Sequence, residues 1–107
     1  MARFLFEGRY SSEGVKGILK EGGTGRVKAV KDALEKFGGK IEAFYFAFGD
    51  TDIYIVVDGI DEETALAFVL GVGASGALAN VKTTVLLTPA EVDEAAKKTM
   101  TYRAPGR

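Results

Sequence analysis

Residues 40–58 read KIEAFYFAFGDTDIYIVVD, and the fold turns on how this stretch is divided. From Lys40 to Phe48, Ile41, Ala43, Tyr45 and Ala47 alternate with Glu42, Phe44, Phe46 and Phe48, the period-two signal of a strand. Ile53 to Asp58 is a second run of β-branched and aromatic residues. Gly49-Asp50-Thr51-Asp52 lies between them and carries turn chemistry, which predicts a β-hairpin. A lone hairpin is marginal in water, so the flanking sequence must supply further strands and helices to cover it.

Toward the N-terminus, residues 3 to 10 alternate Phe4, Phe6, Gly8 and Tyr10 with Arg3, Leu5, Glu7 and Arg9, predicting another strand. Ser11 then offers a cap for a short, glycine-weakened helix stopped by Gly22-Gly23. Thr24 is placed to cap a longer helix, with Val27, Val30, Leu34 and Phe37 on one stripe and Gly38-Gly39 at its end. Toward the C-terminus, Asp61 precedes an apolar helix whose first turn holds Glu62 and Glu63. Ala79 to Leu87 reads as a fourth strand, and Thr88-Pro89-Ala90-Glu91 is a capping box that starts an extra helix running to about Lys98.

Strand, helix, strand, strand, helix, strand is the split βαβ order. It predicts an α+β, ferredoxin-like fold: a four-stranded antiparallel sheet with both main helices on one face and an additional C-terminal helix. The 107 residues suffice for one such domain, spanning 1–107, and not for two.

Strand alternation then divides the sheet into two faces. Phe4, Phe6, Ile41, Ala43, Tyr45, Ile53, Ile55, Val57, Val81, Val85 and Leu87 are expected to meet the helices. Leu5, Phe44, Phe46, Phe48, Tyr54, Val56 and Leu86 are expected on the opposite face, beside Glu7, Arg9, Glu42, Asp58 and Lys82. That second face is too apolar to be washed by water, so it predicts a homodimer or larger homo-oligomer joined through it. The alternative is that the C-terminal helix folds across this face, although Val92, Ala95 and Ala96 give it only a narrow apolar stripe.

Composition removes much chemistry. With no cysteine and no histidine, disulfides, thiol nucleophiles, Ser-His-Asp catalysis and the commonest zinc ligands are excluded, leaving only oxygen-ligand metals such as magnesium, calcium or manganese; no carboxylates show a diagnostic spacing for one, and neither a metal nor a cofactor is expected. Fourteen basic and fifteen acidic residues leave a net charge of −1, without the basic excess that nucleic-acid binding needs. No stretch resembles a membrane span or a secretion signal, and the expected setting is cytoplasmic, with no membrane partner.

The candidate ligand residues are few. Lys16, Lys20 and Arg26 cluster with the glycines of residues 14–26 around a helix start, an arrangement suited to an anionic ligand or, in the plainer view, a flexible loop with solvated lysines. Tyr45 is expected among apolar neighbours beneath the helices, where its hydroxyl would need a partner or line a small pocket. Glu7, Glu42, Asp50, Asp52 and Asp58 are the carboxylates nearest the strands, any of which in a cleft could act as a base or bind a hard cation, and Asp52 is kept among the ligand candidates; in the plainer view Asp50 and Asp52 serve the turn through bonds to backbone and Glu7 and Glu42 form salt bridges at the interface. Gly71 to Gly76 matches GxGxxG, but no helix fits between it and the following strand, so it reads as the small-residue end of a helix and its exit loop.

Several segments, in order, resemble one family: Phe6-Glu7-Gly8, Glu13 to Gly17, Lys20 to Gly23, Phe44 to Asp50 and Val81 to Thr88 are similar to the bacterial GYD-domain proteins. The resemblance covers nearly the whole chain. It implies two sheets facing one another in a dimeric α/β barrel, in agreement with the reading of the strand faces. It supplies no catalytic residue. Only Gly49 and Asp52 carry over as signature positions, with Thr51 where the family has tyrosine. The expected role is a homo-oligomer that binds a small molecule between sheet and helices or at the glycine-rich segment. The alternatives are a cofactor-independent enzyme using Tyr45 and a carboxylate on a small aromatic or other organic substrate, and a structural or regulatory assembly subunit.

Overall fold

The computed structural model describes residues 2–107. Its elements follow in the order β1 (Ala2–Tyr10), α1 (Ser12–Glu21), α2 (Gly23–Glu35), β2 (Lys40–Phe46), β3 (Ile53–Ile60), α3 (Glu62–Ala74), β4 (Leu78–Leu86) and α4 (Pro89–Ala96). The four strands form one antiparallel sheet in the order β2-β3-β1-β4, the α+β ferredoxin-like arrangement. Phe4, Phe6, Ile53, Ile55 and Val57 project from the two central strands and are buried against Leu34 of α2 and Ala65 of α3. Val30, Phe68 and Val69 complete the helix side of this core. Among the described residues no helix is long and apolar enough to cross a membrane.

Helix ends follow the local chemistry. Ser11 Oγ accepts from the Gly14 N–H at 3.1 Å, and Asp61 Oδ1 accepts from the Thr64 N–H at 2.8 Å. Thr88 and Glu91 close the reciprocal capping box of α4. Thr24, however, does not cap α2. Gly22 ends α1 and begins α2 at the same residue, with a φ of 83° that L side chains rarely adopt and its N–H bonded to Ile18 O at 2.8 Å. The segment read as a flexible glycine-rich loop is therefore helical on both sides of one break.

The register of β2 corrects the assignment of faces. Ile41 stands opposite Val57, but the next paired residue is Ala43, opposite Val56, so Glu42 is the extra residue of a β-bulge. Beyond it every side chain changes face. Phe44 and Phe46, expected on the second face, pair with Ile55 and Ile53 and turn toward the helices. Tyr45, expected beneath the helices, pairs with Tyr54 on the opposite face and is 70 % exposed. Ala43 crosses with it. The strand also ends at Phe46, leaving Phe48 fully exposed in the turn. Val85 faces the helix side but lies on the edge strand and stays half exposed, and Leu87 lies past the end of β4.

The face away from the helices carries Leu5, Tyr45, Tyr54, Val56 and Leu86. Arg3 forms an ion pair with Glu42 and lies 3.5 Å from Asp58 at one end of this band. Helix α4 does not cover it: every residue of α4 is exposed, Val92 included. The radius of gyration is 17.0 Å, against about 13 Å for a compact chain of this length, because α4 and the segment after it project from the body of the domain.

Candidate functional site

Along β1 the helix-side residues are Phe4, Phe6 and Gly8, followed after an irregularity at Arg9 by Tyr10. Gly8 leaves room on this row, and the space above it is shared by Leu78 and Ile53. A cavity of about 80 Å³ opens there, between β1 and the helices α2 and α3. Its walls are mainly apolar, with Phe6, Val30, Phe68 and Leu78 prominent. Its polar lining residues are Glu7, Tyr10, Arg26 and Ser75. The rings of Phe6 and Phe68 meet edge to face at 4.9 Å and fix one wall. The cavity adjoins a wider groove of about 430 Å³ between α2 and α3, and Arg26, Val30, Phe68, Val72 and Ser75 belong to both.

Arg26 stands in the first turn of α2, directly after the glycine break. Its Nε lies 3.3 Å from Glu21 Oε2, within ion-pair range, yet that N–H is shielded from solvent and makes no hydrogen bond of good geometry. Glu21 thus neutralises the guanidinium without satisfying its Nε–H. Tyr10 packs its ring against Phe46, centroids 6.5 Å apart and planes 22° apart. Phe46 in turn lies against the backbone of Gly23.

Burial pushes the Tyr10 phenol up to about 12, an effect opposed by Arg26 and reinforced by Glu21 and Asp52. The folded state therefore holds this proton more tightly than the unfolded chain does. The resulting stability is full below the ordinary value of 10 and is lost as pH rises toward about 12. Urea midpoints measured across that interval should fall less for Tyr10→Phe than for the wild type.

Asp52 is a clamp. Its Oδ2 accepts from the Tyr10 N–H at 3.0 Å, its own N–H donates to Gly8 O at 2.9 Å, and its carbonyl accepts from the Ala47 N–H at 2.8 Å. Asp52 thus ties the hairpin turn to the end of β1 that holds Tyr10. Asp52→Ala should cost about 1 kcal/mol of stability and accelerate hydrogen exchange at the Tyr10 amide, which NMR would follow.

Of the residues singled out in the sequence, the structure brings Arg26 to the cavity and sets Asp52 behind its wall. Lys16 and Lys20 are exposed on α1, Lys16 within 3.8 Å of Glu13, and neither lines the cavity or the groove. Tyr45 is on the far side of the sheet. Tyr10 takes the place expected of Tyr45, a position signalled by its alternation with Phe4, Phe6 and Gly8. Gly71 and Gly73 lie in α3 and Gly76 in the turn after it, with β4 following at once. Among the described residues no three acidic side chains gather as a metal site would require.

The sequence model of the GYD domain matches residues 4–96, which include the cavity walls, the clamp and all of α4. No curated protein and no solved structure matches the chain.

Proposed function

Since the chain belongs to the GYD domain family, and the match spans the cavity and its clamp, we propose that it is a homo-oligomeric protein that holds a small ligand between sheet and helices. One observation carries this reading: a mainly apolar cavity of about 80 Å³ between the sheet and helices α2 and α3, with Tyr10 and Arg26 among its lining residues, that adjoins the wider groove between those helices. Concave, mainly apolar pockets with a few polar groups in their lining are where small ligands bind. The apolar band on the open face supports self-association, since monomers seldom leave such a band in water. We place the protein in the cytoplasm of a bacterium, as its composition and resemblance lead us to expect.

A catalytic role built on Tyr45 draws no support from its placement, away from the cavity and exposed. Native mass spectrometry of protein purified from its own host tests the binding reading. The expected spectrum is an oligomer carrying extra mass that leaves on denaturation. A spectrum of bare protomers would refute both parts of the reading.

A further inference from the structure

We infer that the ligand carries a single unbranched hydrocarbon chain of about twelve carbons, whose free end enters the cavity while the rest lies along the groove between α2 and α3 and the polar head stays in water. The inference rests on the reading that the cavity holds a ligand, and gives that ligand a chemical class. The cavity sets the free end. Its enclosed space of about 80 Å³ lies among apolar walls and is about half the ~150 Å³ of an apolar cavity that takes up benzene. It therefore admits the end of one chain and excludes a ring. A charged end would lose its water there without gaining a partner.

The groove sets the length. Val30, Phe68 and Val72 line both spaces, so the cavity continues into the groove. The groove walls run from Arg26 to Phe37 along α2 and from Thr64 to Ser75 along α3, at the three- and four-residue steps that keep to one face of a helix. Eleven residue steps on each side rise about 16 Å. Successive carbons of an extended chain advance about 1.25 Å, which gives about twelve of them. The groove volume of about 430 Å³ lies within the ~300–1,000 Å³ of small-molecule sites. A docked helix, about 10 Å across, would span the groove and leave the cavity empty. The polar side chains of the groove are already occupied. Ser75 Oγ donates to Val72 O at 2.6 Å and accepts from the Ala77 N–H at 3.2 Å. Arg26, the one charged residue lining the groove among the described residues, has Glu21 at 3.3 Å. The groove thus offers hydrocarbon contact and no uncountered charge.

Hexyl, octyl, decyl, dodecyl and tetradecyl maltoside share one uncharged head and differ only in chain length. Each is titrated into the full chain below its micellar concentration while proton–nitrogen NMR follows the wall amides. Affinity should rise about two- to fourfold per methylene as far as dodecyl and level off at tetradecyl. The Val30 and Val72 amides should move with every member, those of Phe37 and Thr64 only with the longer ones. 6-Cyclohexylhexyl maltoside has as many tail carbons as the dodecyl compound but ends in a ring, and it should bind at least about tenfold more weakly. Gly71→Leu should weaken dodecyl binding by a similar factor. Gly71 lines the groove with nothing within 4 Å of its Cβ position, so leucine fills the trough without strain and the urea midpoint should not fall. Equal binding of the dodecyl and cyclohexylhexyl compounds would overturn insertion of the chain end. Affinity that stops rising at hexyl would overturn the chain in the groove but leave the cavity as a ligand site. Affinity still rising at tetradecyl and untouched by Gly71→Leu would mean adsorption to exposed apolar surface, and would also overturn the inference. If no member moved the wall amides, the cavity reading would fall, and this inference with it.

Discussion

Gly14→Ala should lower stability by about 3 kcal/mol, although alanine is ordinarily the better residue inside a helix by about 0.5–1 kcal/mol. The reversal comes from one contact. A Cβ at Gly14 would stand 2.1 Å from the Ala77 carbonyl oxygen and 2.9 Å from Tyr10 Cδ1. The oxygen belongs to backbone and cannot step aside cheaply, because it accepts the Ser11 N–H at 2.9 Å and so anchors the cap of α1 to the start of β4. Relief of the clash requires either that bond or the seat of Tyr10 to yield, and both routes widen the cavity. Gly17, one turn further along the same helix, has nothing within 4 Å of its Cβ position. Gly17→Ala should therefore gain about 0.5–1 kcal/mol. Urea unfolding of the two variants beside the wild type measures both. A Gly14→Ala protein with the Gly17→Ala midpoint would mean that α1 does not lie against the β4 entrance.

The contrast between those glycines marks what a sequence can and cannot convey. Strand and helix order was legible because each boundary carries its own chemistry: Ser11, Asp61 and Thr88 as caps, Gly38-Gly39 as a stop, Gly49 to Asp52 as a turn. The bulge at Glu42 was not. A bulge that needs a left-handed residue announces itself by glycine, but here neither Glu42 nor Ala43 has positive φ, so both are ordinary residues in an ordinary alternation. One unmarked extra residue then exchanged Tyr45 with its neighbours Phe44 and Phe46 across the sheet. The candidate site divides in the same way. Arg26 was legible as a basic residue beside a helix break and Tyr10 as a helix-side residue of β1. Their meeting at one cavity depends on the separation of α2 from α3 and on how Leu78 and Ile53 close over Gly8, both properties of packing.

If protomers join through the open face, as proposed, Val56→Asp should give a monomer, with the dissociation constant raised at least about a hundredfold, since an unpaired carboxylate buried between two sheets costs several kcal/mol. Val56 lies near the middle of the open face, opposite Leu5 and diagonal to Tyr45, and it supports no helix contact, so the domain should stay folded. Phe46→Asp should do the reverse. Despite 43 % exposure, Phe46 points to the helix side, with Phe44 at 5.6 Å and Tyr10 at 6.5 Å between ring centroids. Its loss should lower the urea midpoint by an amount equivalent to about 2 kcal/mol and leave the assembly intact. Sedimentation gives the mass of each variant and circular dichroism its unfolding. Dissociation by Phe46→Asp without dissociation by Val56→Asp would move the interface to the helix side, over the mouth of the cavity. A ligand there would then be enclosed by two chains. If instead Val56→Asp dissociates the oligomer, the two faces of the sheet have separate tasks, one joining the protomers and the other, through Tyr10 and the α2–α3 groove, remaining open to the ligand.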